Sequence, residues 1–345
     1  MKRIGKLSSL FLLTGLLFVL VDLNAQNTVD AKGRKQGRWS KTYADGKLKY
    51  EGEFKDDCEV GDFKYYNKDG SLKEKISYKG DCKTGYCEVY YRKGQLMSSG
   101  EYLNKKKNAV WNYYSVDGKL LSRETYKDGL KEGEETIWDT KGNVLEKINY
   151  KKGKKNGENY KYLYAEGFQT YTYVDDVKEG AYRNYYADKQ PRIEGQYSAG
   201  KKDGVWTYTD QANRKMRVQV WKADVLISDK IILQQRDKER GIAADEILCL
   251  YPLGKQTCLV LSSGEKLTCF NSHDQILDCT DGNYLIRLNE KNNLYVNPNA
   301  IKAVKENADG QAEVITAPKT DIKIIADKEG LKALHSVLNK EKIGK

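Results

Sequence analysis

The chain has 345 residues, a formal net charge of +11, seven cysteines and only two histidines. With His273 and His335 alone it cannot assemble a histidine cluster around a metal, and a Ser-His-Asp or Cys-His site would have to use one of them. The sequence also lacks a glycine-rich loop beside a helix that would hold a phosphate. These observations predict a protein that is not an enzyme and that needs no cofactor or metal.

Residues 1–25 have the pattern of a secretory signal peptide. A basic start precedes an uncharged run from Leu7 to Val21, and Ala25 ends a plausible cleavage site. A retained membrane anchor is the alternative, but a run of 15 residues is short for a membrane span. Cleavage would lower the formal net charge to +9, because three basic residues and one acidic residue leave. We therefore expect an exported protein, periplasmic, at the cell surface or secreted, with no nucleic-acid partner and no membrane span after cleavage.

Residues 37–228 repeat one unit eight times, with copies that begin at residues 37, 61, 85, 109, 133, 157, 180 and 204. Seven copies have 24 residues and the sixth has 23. Position 1 is usually glycine, positions 3, 6 and 18 are usually aromatic, and Asp-Gly or Lys-Gly separates two apolar runs. Asp-Gly between such runs signals a hairpin, because both residues tolerate positive φ. Each unit is predicted to be a β-hairpin that needs its neighbours for stability. Residues 26–36 end in a copy of the closing turn and are expected to form an N-terminal cap.

The pattern G-x-W-x-x-Y-x-x-x-G, followed by Y-x-x-G-x-x-x-G, resembles the MORN repeat. It is more closely similar to the bacterial variant in YwqK-type proteins, which are often labelled antitoxins. The resemblance covers residues 37–228 and implies a scaffold or a module that contacts proteins or lipids. No residue of the pattern points to a toxin, so the antitoxin label is not carried over.

The aromatic positions are candidates for a contact surface. Exposed tyrosine and tryptophan favour protein or sugar partners, because each offers a rigid apolar face with a polar group. The alternative is that these rings only pack against each other within the sheet. The candidate binding residues are those of the middle repeats: Tyr90, Tyr102, Tyr114, Tyr126 and Trp138.

The closing turns carry lysines that should recur along one edge of the sheet. They could form a basic rim for anionic lipid headgroups, acidic glycans or an acidic protein face. Alternatively they are solvated loops, since Glu132, Glu179 and Asp203 are interleaved with them. The lysines are Lys106, Lys107, Lys131, Lys154, Lys155, Lys178, Lys201 and Lys202.

The remaining chain has a different pattern. Residues 229–244 break the period and are expected to be a linker or a short helix. Residues 245–345 alternate short apolar runs with turns and end in a helix predicted to start near Asp327. They predict a small β-rich domain with a C-terminal helix. His273-Asp274 near Cys269 is the one candidate for nucleophilic chemistry, and a solvated hairpin tip explains it better.

Cysteines in an exported chain favour disulfides over metal ligation. In the C-terminal region, Cys249–Cys258 and Cys269–Cys279 are the predicted bonds, and Cys258–Cys269 is a competing pair. The spacings of these four cysteines lack the close pairs of zinc sites.

The array contains three further cysteines. Cys58 and Cys82 occupy equivalent positions of successive repeats, two strands or roughly 9–10 Å apart, which is too far for a direct bond. Cys82 and Cys87 flank one closing turn and are the predicted pair. Cys58 would then be a buried free thiol or, alternatively, would bridge to a partner.

The sequence thus predicts a mainly β protein, with an elongated curled sheet of eight hairpin repeats followed by a small β-rich domain. Its predicted function is that of an exported scaffold that binds a protein at the cell envelope. A module that binds glycan, cell wall or anionic lipid is the alternative, and an enzyme carried in the C-terminal region is a third possibility.

Overall fold

The computed structural model describes residues 26–280, 285–316 and 324–343. The predicted signal peptide, residues 1–25, lies outside the described residues. Within the described residues the chain is mainly β with two α-helices, which confirms the predicted fold class. It divides into two compact units, Met1–Lys119 and Leu120–Lys345.

The first unit is an antiparallel meander in which each strand pairs with the next. The predicted hairpin turns are formed by glycines with positive φ at Gly46, Gly70, Gly94 and Gly118. The strands are β1 (Thr28–Val29), β2 (Lys35–Thr42), β3 (Leu48–Lys55), β4 (Cys58–Tyr66), β5 (Leu72–Tyr78), β6 (Thr84–Tyr90), β7 (Leu96–Leu103) and β8 (Lys106–Tyr114).

The second unit begins with the same meander. Its strands are β9 (Leu120–Lys127), β10 (Leu130–Lys131), β11 (Gly133–Trp138), β12 (Val144–Lys151), β13 (Lys154–Lys155), β14 (Gly157–Tyr162), β15 (Phe168–Val174), β16 (Val177–Tyr185), β17 (Pro191–Ser198), β18 (Lys201–Thr209), β19 (Lys215–Lys222), β20 (Val225–Gln234) and β21 (Glu239–Ile242).

Two smaller sheets and two helices complete the second unit. One sheet has the order β24-β23-β22-β26-β25 and the other the order β27-β28-β29. Asp327 accepts a hydrogen bond from the Gly330 amide at 2.9 Å and so caps the last helix, as predicted. The elements are β22 (Ile247–Leu253), β23 (Gln256–Leu261), β24 (Lys266–Cys269), α1 (His273–Cys279), β25 (Ile286–Asn289), β26 (Leu294–Val296), β27 (Ile301–Glu306), β28 (Ala312–Thr316), β29 (Ile324–Ala326) and α2 (Lys328–Ile343).

The linker predicted at residues 229–244 is wrong. Strand β20 continues through Gln234, and β21 pairs with it. The reason is the apolar run that begins at Ile231, because Ile231 and Leu233 are buried in one cluster with Ile247 and Leu250 of the next sheet. The end of the array and the start of the C-terminal region therefore share a core.

Irregularities recur in the array at fixed repeat positions. A register shift falls between positions 5 and 6 in several copies, as at Tyr65/Tyr66 and Val89/Tyr90. A second shift falls near position 16, as at Gly100/Glu101. Bulges increase local twist and bend a strand. Repetition of two bulges per hairpin therefore curves the strands of each unit in the same sense.

Candidate functional site

One face of the first unit is a column of buried side chains from positions 3 and 16 of successive repeats. Phe63 pairs with Ile76, Ile76 with Cys87, and Gly100 lies between Cys87 and Trp111. Cross-strand partners share a face, so these residues form one row. Phe63 and Trp111 are 1% exposed and Cys87 is fully buried. We call this row and its equivalent in the second unit the ring column.

The equivalent row of the second unit has more polar members. Tyr171 pairs with Tyr182, Tyr182 with Gly195, and Trp206 with Gln219. Trp206 stacks on Tyr182 with ring centroids 5.2 Å apart. Glu135 and Asn159 take the place of a ring in their repeats, and both are buried.

Glu135 is held in the column by one lysine. The Lys131 ammonium lies 2.8 Å from a Glu135 carboxylate oxygen and 2.9 Å from one of Glu124. It also lies 5.0 Å from the centre of the Tyr150 ring. A buried carboxylate is tolerated only when it is paired, and this lysine supplies the pairing.

The lysines of the closing turns divide into two groups. One group lies over the aromatic rings: the ammonium of Lys107 is 4.5 Å from the Trp111 ring centre, and that of Lys202 is 4.5 Å from that of Trp206. Such contacts attract the cation to the electron-rich ring face. The single basic rim, one of the two alternatives offered by the sequence, is therefore wrong for five of its eight members. The lysines on rings are Lys107, Lys131, Lys155, Lys178 and Lys202, whereas Lys106, Lys154 and Lys201 are exposed.

The five rings predicted to bind a partner are all half-buried. Tyr102 packs edge-on against Trp111 at 5.0 Å, and burial raises the pKa of Tyr102 to about 12. The Tyr126 hydroxyl donates to a Glu124 carboxylate oxygen at 2.5 Å. Both side chains therefore make contacts inside the array.

The other three predicted rings lie at the bulge beside the hairpin turns. Burial and the Glu88 carboxylate raise the pKa of Tyr90. The Tyr114 carbonyl accepts a hydrogen bond from the Tyr91 hydroxyl at 2.8 Å. The Arg123 guanidinium lies 6.0 Å from the Trp138 ring centre. Within each unit the predicted rings thus occupy two kinds of repeat position, and their role in binding stays a prediction.

Sequence reasoning missed a second use of tyrosine. The hydroxyls of Tyr43, Tyr91 and Tyr186, at position 7, donate to the carbonyls of Tyr66, Tyr114 and Thr209 in the next repeat at 2.7–2.9 Å. These bonds tie neighbouring hairpins together at their turn ends. The recurrence of tyrosine at position 7 was the signal that could have revealed them.

The opposite face of the array, which we call the outer face, carries several exposed apolar side chains within the strands. Tyr86 pairs with Ser77 and Glu101 on this face and is 46% exposed, and Val110 beside the buried Trp111 is 44% exposed. In the second unit Val205, which pairs with Val220, is 56% exposed. None of these residues was among the predicted binding residues.

The regular hairpins, the ring at position 3 and the turn glycines agree with a known repeat. Four of the repeats match the MORN repeat variant. The matched segments are residues 35–56, 59–79, 83–104 and 131–152.

Two solved structures are weakly similar to the chain. The chain is similar to the LytTr DNA-binding domain of a response regulator from Bacillus cereus at 15% identity and a TM-score of 0.27, over 32% of this chain and 95% of that one. It is similar to the Photorhabdus luminescens Tc holotoxin pore at 13% identity and a TM-score of 0.17, over 86% of this chain and 18% of that one. No curated protein matches the chain.

Successive closing turns of the array are bonded to each other directly. The Asp57 amide donates to the Lys35 carbonyl at 3.2 Å, and the Asn104 amide to the Lys83 carbonyl at 2.8 Å. Carboxylates add to this contact, as Asp57 accepts from the Lys35 amide at 2.8 Å. The interleaved acids of the rim therefore join one turn to the next.

The turn at residues 79–84 differs from the others and is joined to its neighbour by a disulfide. It closes with a wider bond from the Lys79 amide to the Thr84 carbonyl. Cys82 is bonded to Cys58, with Cα atoms 4.9 Å apart. The predicted Cys82–Cys87 bond is wrong, because adjacent closing turns approach more closely than the two-strand spacing of the hairpins. Cys87 is the buried free thiol of the array.

The four cysteines of the C-terminal region are buried free thiols, so the predicted bonds Cys249–Cys258 and Cys269–Cys279 are wrong. Cys249 pairs with Val260 rather than Cys258, because the turn lies one residue further along than expected. Cys279 ends helix α1 instead of lying in a strand. Burial raises the pKa of Cys249 to about 12 and that of Cys269 to about 11, so both thiols are protonated at neutral pH.

His273 is the first residue of α1 and half-buried, so the expected hairpin tip is also wrong. The Ser272 hydroxyl accepts from the Gln275 amide at 3.2 Å and starts the helix there. The His273 Nδ1 atom lies 3.4 Å from the Thr257 hydroxyl. That hydroxyl donates to the Asn271 carbonyl at 2.7 Å, and burial lowers the pKa of His273. This arrangement contains no ionised nucleophile.

The described part of the chain lacks two further features. No group of three or more histidine, cysteine, aspartate or glutamate side chains there is arranged to hold a metal ion. No helix there is long and apolar enough to cross a membrane.

Proposed function

We propose that this protein is a non-enzymatic repeat scaffold that is exported and binds a protein partner at the cell envelope. The match to the MORN repeat variant supports the broad class, since such repeats serve as modules that bind proteins or membranes. The proposal includes a similarity to YwqK-type proteins, which is limited to the repeat array at residues 37–228.

The observation that carries the proposal is the exposed tyrosine on the outer face. Tyr86 is flanked by the polar partners Ser77 and Glu101, and Val110 adds a second exposed apolar group on the same face of the first unit. A tyrosine with a polar surround is the composition typical of a protein contact. The rings of the ring column contact each other and lysine side chains. We therefore place the proposed contact with a partner on the outer face.

Photo-crosslinking tests this surface. We would replace Tyr86 with p-benzoylphenylalanine in the full-length protein and irradiate cells that express it. A discrete crosslinked protein is expected. The same replacement at Tyr164, which is 67% exposed in a 3₁₀ turn, is the matched control. Equal crosslinking at both positions, or none at Tyr86, would remove the outer face as the contact.

A specific observation favours the alternative of an anionic lipid or glycan. Lys127, Lys151, Lys152 and Lys154 are exposed on two neighbouring closing turns, and none has an ion pair among the described residues. Exposed lysines attract anionic surfaces, and this attraction weakens with salt.

Sedimentation with vesicles distinguishes this alternative. The full chain would be mixed with vesicles containing phosphatidylserine and with purely zwitterionic vesicles. If the lysines form the functional site, only the anionic vesicles carry the protein down, salt releases it, and replacing the four lysines with alanine abolishes the effect. Unchanged sedimentation of that variant would exclude the lysine site.

A further inference from the structure

A cleft in the second unit lies where the array meets helix α1. Its volume is about 820 Å³, and strands β17, β18 and β19, the turn at residues 210–214 and α1 all contribute to its walls. The residues that matter for its chemistry are Tyr186, Arg192, Tyr208, Asp210, Met216 and Asp278.

The cleft is built around one fully bonded carboxylate. Asp210 accepts hydrogen bonds from the amides of Ala212 and Arg214 and from the Arg214 guanidinium at 2.9–3.0 Å. It also accepts from the Gln275 side chain of α1 at 3.2 Å. Since this last bond reaches from the turn to the helix, the two walls are held in place without a ligand.

Two of the three guanidiniums that line the cleft are neutralised. Arg214 pairs with Asp210 at 2.7 Å. Arg217 is buried and forms a two-point ion pair with Asp229. Both guanidiniums are therefore already paired and are not available to pair with a ligand.

Arg192 and Asp278 remain as the charges of the cleft that have no hydrogen-bonded ion pair among the described residues. The nearest acidic partner of Arg192 is Glu166, whose side chain is 72% exposed and whose carboxylate lies 3.8 Å away, beyond hydrogen-bond distance. Asp278 is exposed and has no ion pair among the residues that the structure describes. The cleft thus offers one cation and one anion.

One of these charges, Arg192, lies over a tyrosine ring. The Arg192 guanidinium lies 5.5 Å from the centre of the Tyr186 ring. Burial raises the pKa of Tyr186, with Arg192 opposing the rise and Asp278 among the groups that add to it. The hydroxyls of Tyr186 and Tyr208 are bonded to Thr209 and Gln219. Their hydrogen-bonding groups are therefore engaged, which leaves the rings to contribute apolar wall area beside Met216.

We propose that this cleft binds a zwitterionic ligand, a short peptide or a free amino acid with an apolar side chain. The ligand carboxylate pairs with Arg192, its ammonium pairs with Asp278, and its side chain contacts Tyr186, Tyr208 and Met216. A planar guanidinium binds a carboxylate through two parallel hydrogen bonds, which makes Arg192 the stronger anchor. Concave sites with apolar walls and a few polar anchors are typical of small-ligand binding.

Calorimetric titration of the full-length protein tests the proposal. The probes are alanyl-leucyl-alanine, its N-acetylated form, its C-amidated form, and leucine. Amidation is expected to weaken binding about tenfold, because one charge-assisted hydrogen-bonded pair is lost. Arg192→Gln should weaken the free peptide to a similar extent and should remove the difference between the free and amidated peptides.

The ammonium end of the ligand is tested in the same way. Asp278→Asn should remove the difference between the free and acetylated peptides. The matched controls are Arg236→Gln and Asp237→Asn, which change the same charges in the exposed turn between β20 and β21 and leave the cleft intact. Thermal unfolding of each variant by circular dichroism establishes that it is folded.

The outcomes separate clearly. Tighter binding of the tripeptide assigns the site to peptides, and equal or tighter binding of leucine assigns it to free amino acids. If none of the probes gives a binding heat at millimolar concentration, the proposal is overturned. Additive effects of amidation and Arg192→Gln also overturn it, because the carboxylate would then be bound elsewhere.

Discussion

At the scale of single residues, the contact between Gly100 and Trp111 sets the tightest steric requirement in the first unit. A Cβ atom on Gly100 would lie 2.3 Å from the Trp111 ring. We expect Gly100→Ala to lower the free energy of unfolding by about 1–3 kcal/mol, as overpacking does. Urea unfolding of the single variants and of the pair with Trp111→Leu measures this. The loss in the double variant should be smaller than the sum of the two, whereas simple additivity would contradict a direct clash.

The lysine pairs of the closing turns give a matched comparison. The Lys107 ammonium lies 4.5 Å from the Trp111 ring centre and 2.6 Å from the Tyr113 hydroxyl, whereas Lys106 is exposed. Lys107→Met should cost about 1–2 kcal/mol through the lost cation–π contact and hydrogen bond. Lys106→Met should stay within about 0.5 kcal/mol. Equal melting temperatures for the two variants would show that the ring contacts add nothing.

The sequence located the aromatic positions correctly but did not predict their roles. Periodicity identified Tyr102 as a repeated ring, yet a repeat position alone does not tell whether a ring packs against a neighbour or faces solvent. Tyr86 stands at a position where other copies carry Arg38, Asp62 or Glu134. It has no periodic signal, so pattern reasoning passed over it.

At the scale of elements, the Cys58–Cys82 bond joins two closing turns in the first unit. A cross-link across 24 residues should contribute about 3 kcal/mol by restricting the unfolded chain. The double variant Cys58→Ser with Cys82→Ser should therefore unfold at lower urea concentration. Reductant should shift the wild type to the same midpoint and leave the variant unchanged. A midpoint that does not respond to reductant would rule the bond out.

The cysteine predictions failed because they depended on register. A turn displaced by one residue moves a cross-strand partner by two, which took Cys258 away from Cys249. The distance between Cys58 and Cys82 was predicted from the average strand spacing. Hydrogen bonds between adjacent closing turns bring these turns closer together than that average. Composition was enough to predict that hairpins form. Which side chains face each other across two strands depends on bulges and turn geometry, and composition does not specify these.

At the scale of the whole molecule, the end of the array and the C-terminal region share a core. Met216, Ile231 and Leu233 are buried with Ile247 and Leu250. A chain that ends at Ser228 should therefore lose protection of the amides in β18 and β19, measured by hydrogen exchange against the full chain. Protection equal to that of the full chain would mean that residues 229–244 act as a dispensable linker after all.

The fold class could be predicted because eight copies carry the same turn and ring signals. The region after Ser228 could not, because Ile231 and Leu233 are short apolar signals whose burial depends on partners distant in the sequence. The cleft beside α1 was not foreseen for the same reason, since Arg192 and Asp278 meet only in the folded chain.

Tyrosine iodination of the native protein, mapped by mass spectrometry, tests the central claim most directly. That claim is that the rings in the ring column, and those packed directly against it, are internal and that the outer face is the free surface. Tyr86 and Tyr164 are exposed, whereas Tyr102 and Tyr171 are packed against other aromatic rings. Iodination acts through the phenolate, and burial raises the pKa of Tyr102 to about 12. We predict rapid modification of Tyr86 and Tyr164 and slow modification of Tyr102 and Tyr171; rates for Tyr102 as high as those for Tyr86 would contradict the account.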